Sequence, residues 1–215
     1  MKIAIVAGGP KEELPLLASY QSSMDYWIGA DDGALALMEQ NISTDLALGD
    51  CDSVSRLEFE KIQEVSVQCH VYPDEKDETD LELAINEALK LKPNMIYLFG
   101  VTAGRLDHEL VNIQQLYRLS LEKIEAVIVD KHHEISMYEP GNYIVKRSDR
   151  FPYVSFIPFS PLVKNLRLEG FYYNLDRTNI AWGSTLCMSN KIIEDTSTFS
   201  FTDGILLLIK SRDKQ

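Results

Sequence analysis

Along the first 130 positions, short apolar runs alternate with helical patterns. Lys2–Gly8, Tyr26–Ala30, Leu46–Gly49, Gln68–Tyr72, Met95–Phe99 and Ala126–Val129 hold few polar residues and read as buried strands. Leu81, Ile85, Ala88 and Leu89 recur at helical spacing behind Thr79 or Asp80 as N-cap. Leu106, Leu110, Ile113, Leu116 and Tyr117 give a second apolar helix face, closed by a polar turn near Lys123. Strands of this kind separated by helices predict a parallel sheet covered on both faces, with right-handed connections.

After Asp130 the helical period stops. Glu134–Tyr138, Tyr143–Lys146, Tyr153–Pro158, Val163–Leu168, Thr185–Met188, Lys191–Glu194, Thr198–Phe201 and Gly204–Lys210 read as short strands. Pro140-Gly141-Asn142, Ser160-Pro161 and Asp203-Gly204 punctuate them as turns. So many short strands predict a β-sandwich or barrel. The expected fold class is α/β: a parallel-sheet, Rossmann-like unit over residues 1–130, then an all-β sandwich over 131–215, with no flexible linker between them.

Charge sharpens that division. The chain of 215 residues has a net charge of −12. Residues 1–130 hold 10 Lys/Arg against 24 Asp/Glu, whereas 131–215 hold 11 against 9. An acidic first unit disfavours binding to a nucleic-acid backbone. No apolar run approaches the roughly 20 residues that span a bilayer, and the start reads as a strand, not a signal peptide. Cys51, Cys69 and Cys187 are widely spaced and lack a CxxC, so a reducing cytoplasm is the expected home.

The acids gather where strands end, which is where open α/β sheets bind ligands. Gly29-Ala30-Asp31-Asp32-Gly33 follows the second strand and Gly49-Asp50-Cys51-Asp52-Ser53 the third. Residues 74–82 hold Asp74, Glu75, Asp77, Glu78, Asp80 and Glu82 against Lys76 alone. Gly100-Val101-Thr102-Ala103-Gly104-Arg105-Leu106-Asp107-His108 follows the fifth. Two carboxylates at i and i+2, Asp50 and Asp52, can reach one cation together. Mg²⁺ suits them, because it takes one or two carboxylates plus substrate phosphates; the plainer reading is a turn with a helix cap. Asp80, at a helix entrance, could supply a third ligand or a base. Most of its neighbours read as a solvated acidic first turn. Lys76 and Arg105 could grip phosphate, or form local ion pairs. Asp107 reads as an N-cap or as a partner to magnesium-bound water. Gly8-Gly9-Pro10 is a weak phosphate or sugar contact. There is no P-loop, no GxGxxG and no GxSxG elbow.

Taken in order, Gly49-Asp50-Cys51-Asp52-Ser53, Glu75-Lys76-Asp77-Glu78-Thr79-Asp80, Gly104-Arg105-Leu106-Asp107-His108 and Gly183-Ser184-Thr185-Leu186-Cys187-Met188-Ser189-Asn190 resemble the thiamine pyrophosphokinase family over roughly residues 1–210. Ala103 stands where that family often has glycine, and Cys51 where it has other residues. The resemblance implies transfer of the terminal diphosphate of ATP to the hydroxyl of thiamine, giving thiamine diphosphate and AMP. It also implies a homodimer with active sites between subunits. On matching positions, Asp50, Asp52 and Asp80 would hold Mg²⁺ and join Asp107 as catalytic residues. Asp31, Gly33, Lys76, Arg105 and His108 would contact the nucleotide, and Ser184, Ser189 and Asn190 the thiamine. Trp182, Phe199 and Phe201 are candidates for the ring that stacks on thiamine, or are core residues. A pterin pyrophosphokinase and a sensor of nucleotide or thiamine without turnover are the alternatives.

Overall fold

A computed structural model of the chain describes residues 1–49, 56–73 and 77–214. The chain divides into two compact units, Met1–Lys131 and His132–Gln215. It is mixed α/β, with a large sheet and a second, antiparallel one.

The first unit alternates strands β1 (Lys2–Val6), β2 (Tyr26–Ala30), β3 (Thr44–Gly49), β4 (Ser66–Val71), β5 (Met95–Phe99) and β6 (Glu125–Val129) with helices α1 (Asp32–Glu39), α2 (Arg56–Val65), α3 (Asp80–Lys90) and α4 (Leu106–Leu121). The strands lie in the order β4-β3-β2-β1-β5-β6, all parallel. Ile3, Ala4, Ile5 and Val6 of β1 are fully buried, as a strand flanked on both edges and covered on both faces requires. The chain runs outward from β1 to β4, then returns to place β5 on the other side of β1. The connections leaving β1 and β5 therefore diverge, and a crevice opens at the carboxyl ends of this pair.

Helix α3 packs as its spacing predicts, burying Leu81, Ala84, Ile85 and Ala88. Helix α4 does not. Its buried residues are Leu116 and Leu119, while Leu106, Leu110 and Tyr117 of the expected apolar face are exposed, as is Leu121.

The second unit holds β7 (His133–Tyr138), β8 (Gly141–Lys146), β9 (Tyr153–Pro158), β10 (Leu162–Glu169), β11 (Leu175–Ala181), β12 (Thr196–Phe201) and β13 (Leu206–Ser211). Strand β13 pairs antiparallel with β7 and β9, and a second sheet runs β11-β10-β12-β8. Phe156, Leu206 and Leu208 from the first set share one apolar cluster with Leu166, Leu168, Phe199 and Phe201 from the second. Phe199 stacks on Tyr143 at 5.0 Å and meets Tyr138 and Phe156 edge-on. Phe199 and Phe201 are thus core residues. Two expected strands are corrected. Thr185–Met188 lies in turns, and the Lys191–Glu194 segment contributes a single bridge, Ile192 to Phe171. The strand Leu175–Ala181 stands where none was expected.

Cys187 is buried, and burial pushes its thiol up to about 11. At pH 8 only about one thiol in a thousand is then ionised, and the thiolate is the nucleophile. Iodoacetamide should therefore leave Cys187 unmodified in the native protein and alkylate it in urea, read by peptide mass mapping. Equal labelling in both states would contradict this burial.

Candidate functional site

A hollow of about 500 Å³ lies at the carboxyl ends of β1, β2 and β5, walled by the first turns of α3 and α4. Its floor depends on two loops approaching closely. Gly9 donates its N–H to the Gly100 carbonyl at 2.9 Å. A Cβ on Gly9 would lie 2.4 Å from that oxygen, and one on Gly100, at φ +65, would lie 2.4 Å from the Ala7 carbonyl. Only glycine allows this contact from both sides. The loop after β5 is then held residue by residue. Asn112 Nδ2 donates to the Val101 carbonyl at 2.8 Å, and Thr102 Oγ1 donates to Asp130 Oδ2 at 2.7 Å.

Three carboxylates line the hollow, Asp31, Asp80 and Glu109, the last from the first turn of α4 and the other two from different strand–helix junctions. Asp31 precedes α1 and donates its N–H to the Leu48 carbonyl at 2.8 Å. Its Oδ2 lies where a Cβ on Gly8 would come within 3.3 Å. Asp80 opens α3. The capping there is done by Thr79, whose Oγ1 accepts from the Glu82 N–H at 3.2 Å. The N-terminal ends of α3 and α4 both face the hollow, so backbone N–H groups and the helix dipoles favour a bound anion. Arg105 and His108 add cationic or neutral donors from α4.

Asp107 points elsewhere. It takes a two-pronged contact from Arg105, Nη2 to Oδ2 at 2.6 Å and Nε to Oδ1 at 3.2 Å, and its Oδ1 also accepts from the His108 N–H. The Arg105 guanidinium holds its carboxyl down at about 2. Asp107 is neither the cap of α4 nor part of the wall of the hollow.

The structure thus brings Asp31, Asp80, Arg105 and His108 together. Gly33 is elsewhere: it is buried in the first turn of α1, where a Cβ would lie 1.9 Å from the Val6 carbonyl oxygen. Asp50, Asp52 and Lys76 lie outside the described residues. Among the described residues no group of three or more His, Cys, Asp or Glu could hold a metal. Thr102 and Asn112 line the hollow and carried no assigned role in the sequence. Asn112 was detectable, because it stands one helical turn beyond His108 and so shares its face.

In the second unit, Asn190 is buried and its side chain bonds through both its oxygen and its nitrogen. Its Oδ1 accepts from the N–H groups of Tyr173 at 3.0 Å and Lys191 at 2.9 Å, and Nδ2 donates to the Tyr173 carbonyl at 2.7 Å. Ser189, exposed and at φ 53, donates its N–H to Ser155 Oγ at 3.0 Å. Ser184 Oγ accepts from the Leu186 N–H at 3.4 Å. Trp182 is exposed, with its indole N–H on the Phe159 carbonyl at 3.1 Å. Asn190 therefore sits behind the surface that Ser189 and the neighbouring tyrosines present.

Two family models match the chain in order: "Thiamin pyrophosphokinase, catalytic domain" over residues 17–128 and "Thiamin pyrophosphokinase, vitamin B1 binding domain" over residues 141–206. The chain is 44% identical to the thiamine pyrophosphokinase of Bacillus subtilis (strain 168), over 98% of its own length and 99% of the relative's. The crystal structure of a Bacillus subtilis thiamine pyrophosphokinase superposes with a TM-score of 0.94 at 43% identity, covering 100% of both chains. A thiamin pyrophosphokinase from Candida albicans shares the fold with a TM-score of 0.82 at 17% identity, covering 98% of this chain and 90% of that one.

Proposed function

We infer the reaction from kinship: the chain belongs to the thiamin pyrophosphokinase family, and it transfers the terminal diphosphate of ATP to the hydroxyl of thiamine, giving thiamine diphosphate and AMP. One observation carries this reading. A catalytic segment and a vitamin B1-binding segment follow each other on a single chain that matches the Bacillus subtilis relative almost end to end. In this reading the first unit is Rossmann-like and binds ATP, and the second is a β-sandwich that binds thiamine.

Mg²⁺ is the proposed cofactor. The hollow offers Asp31 and Asp80, hard oxygen donors beside two helix N-termini, which fits a cation bound together with phosphates. Asp50, Asp52 and Asp80 would hold it. Bound there, the ion would neutralise the charge that otherwise sets an acidic edge against an anionic nucleotide. Asp31, Lys76, Arg105 and His108 would orient the nucleotide. The thiamine hydroxyl oxygen attacks the β-phosphorus while the bond from that phosphorus to the α–β bridging oxygen breaks. AMP leaves with the electron pair, and the hydroxyl proton passes to a carboxylate. Of Asp80 and Asp107, Asp80 is the better acceptor. Asp80 lines the hollow, whereas Asp107 stands outside it with both carboxylate oxygens engaged by Arg105. Asp107 instead positions Arg105. Phosphoryl-type transfer depends mainly on such in-line positioning and charge neutralisation.

Ser184 and Ser189 remain the proposed thiamine contacts. Asn190 is reassigned: its bonds to Tyr173 make it a support behind that surface. A homodimer agrees with the stripe of Leu106, Leu110, Tyr117 and Leu121, which lies along one side of α4 and is exposed in a single chain. We place the enzyme in the cytoplasm on its widely spaced cysteines, which lack a CxxC and suit a reducing compartment; among the described residues no helix is long and apolar enough to cross a membrane.

The test is direct. The chain, incubated with ATP, Mg²⁺ and thiamine and resolved by HPLC, should yield equal amounts of AMP and thiamine diphosphate, with no transfer to a pterin alcohol. Absence of both products would refute the assignment.

A further inference from the structure

The carboxyl end of β6 holds a buried acid that the reaction as described leaves unused. Asp130 is 4% exposed, and its Oδ2 accepts the hydroxyl proton of Thr102, itself 5% exposed, at 2.7 Å. Placing a carboxylate out of water is unfavourable unless hydrogen bonds hold it, so a buried acid of this kind ties its partners firmly in place. Thr102 lines the hollow. The next residue, Lys131, reaches the other loop of the hollow: its N–H donates to the Glu13 carbonyl at 2.9 Å, and its ammonium contacts the Glu12 carbonyl. Residues 130 and 131 therefore fasten both the loop after β5 and the segment that follows Gly8-Gly9-Pro10.

We propose that Asp130 is a positioning residue for the nucleotide, acting through Thr102 to set the loop that floors the hollow. A threonine hydroxyl has one proton to give, and here Asp130 takes it. Any contact between that oxygen and a ligand is then made as an acceptor, which suits a sugar hydroxyl or an exocyclic amine and not a phosphate oxygen. The inference rests on the hollow being the ATP site.

The experiment compares Asp130→Ala, Asp130→Asn, Thr102→Val and the double variant Asp130→Ala/Thr102→Val in the full chain. Mg²⁺–ATP affinity is measured by calorimetry, alongside KM for ATP, KM for thiamine, kcat and melting temperature. Asp130→Ala should weaken ATP binding and raise its KM roughly tenfold, with the thiamine KM within about twofold. Asparagine, which keeps an acceptor oxygen, should restore most of the affinity. The double variant should be no worse for ATP than the poorer single variant, because both changes cut one connection. Additive losses, or a fall in melting temperature with unchanged ATP affinity, would overturn the proposal. If Asp130→Ala does not fold, Thr102→Val decides by the same readout: weakened ATP binding supports the proposal and unchanged binding overturns it. Calorimetry separates the two claims, since a wild-type chain that binds Mg²⁺–ATP without forming AMP would refute the assigned reaction alone.

Discussion

Asp80→Asn lowers the rate of AMP and thiamine diphosphate formation by on the order of 100-fold or more, the scale on which a charge aimed at a reacting centre acts. The fold should survive the change. Thr79, not Asp80, caps α3, and the apolar side of that helix, Leu81, Ala84, Ile85 and Ala88, is untouched. What asparagine removes from the helix is a negative charge in its first turn, worth about 0.3–1 kcal/mol. The check is an HPLC rate assay with saturating thiamine and Mg²⁺–ATP, paired with a thermal melt. A variant with wild-type rates would take Asp80 out of the reaction. One that lost its melting transition would show a structural duty that the capping geometry does not predict.

Gly33→Ala acts on the fold instead. Its new methyl group would lie 1.9 Å from the Val6 carbonyl oxygen, 2.5 Å from the Val6 carbonyl carbon and 3.0 Å from the Ala7 nitrogen. All three belong to the backbone at the end of β1, a strand paired on both sides, so no side chain can swing away. Overpacking of this kind costs about 3 kcal/mol or more. That predicts a melting temperature lower by roughly 10 °C, or an insoluble product. A melt within about 2 °C of wild type would show that α1 can shift on β1. Any activity lost in this variant reflects α1 being pushed off the sheet, which separates Gly33 from the nucleotide contacts with which the sequence grouped it.

The core strands were legible because burial on two faces leaves an apolar signature. β2, β5 and β9 match their expected spans residue for residue. β11 left no such trace: Leu175–Ala181 is polar and buries only Ile180 fully, so it resembles a loop. Thr185–Met188 misled for the opposite reason. Leu186 and Met188 alternate like strand residues, but both are exposed in a turn, and Cys187 between them is the buried one. In α4 the apolar spacing was present while its orientation was not. Asn112, turned inward, bonds the Val101 carbonyl, and Leu110 and Tyr117 are left outside. At the site, carboxylates at strand ends were visible as composition. The choice between Asp80 and Asp107 was not, because it depends on the placement of Arg105, two residues from Asp107 and bonded to it.

Asp31 carries an evolutionary consequence. Its backbone, at φ 53 and ψ −131, occupies territory that glycine enters freely and other residues enter at about 1–3 kcal/mol. If Asp31 serves the nucleotide as proposed, heat and turnover select in opposite directions at this codon. A library screened only for survival at high temperature should accumulate glycine at position 31, whereas one selected for thiamine diphosphate supply should retain aspartate. Sequencing both pools reads the conflict directly, and aspartate persisting equally in each would mean that the turn imposes no such trade.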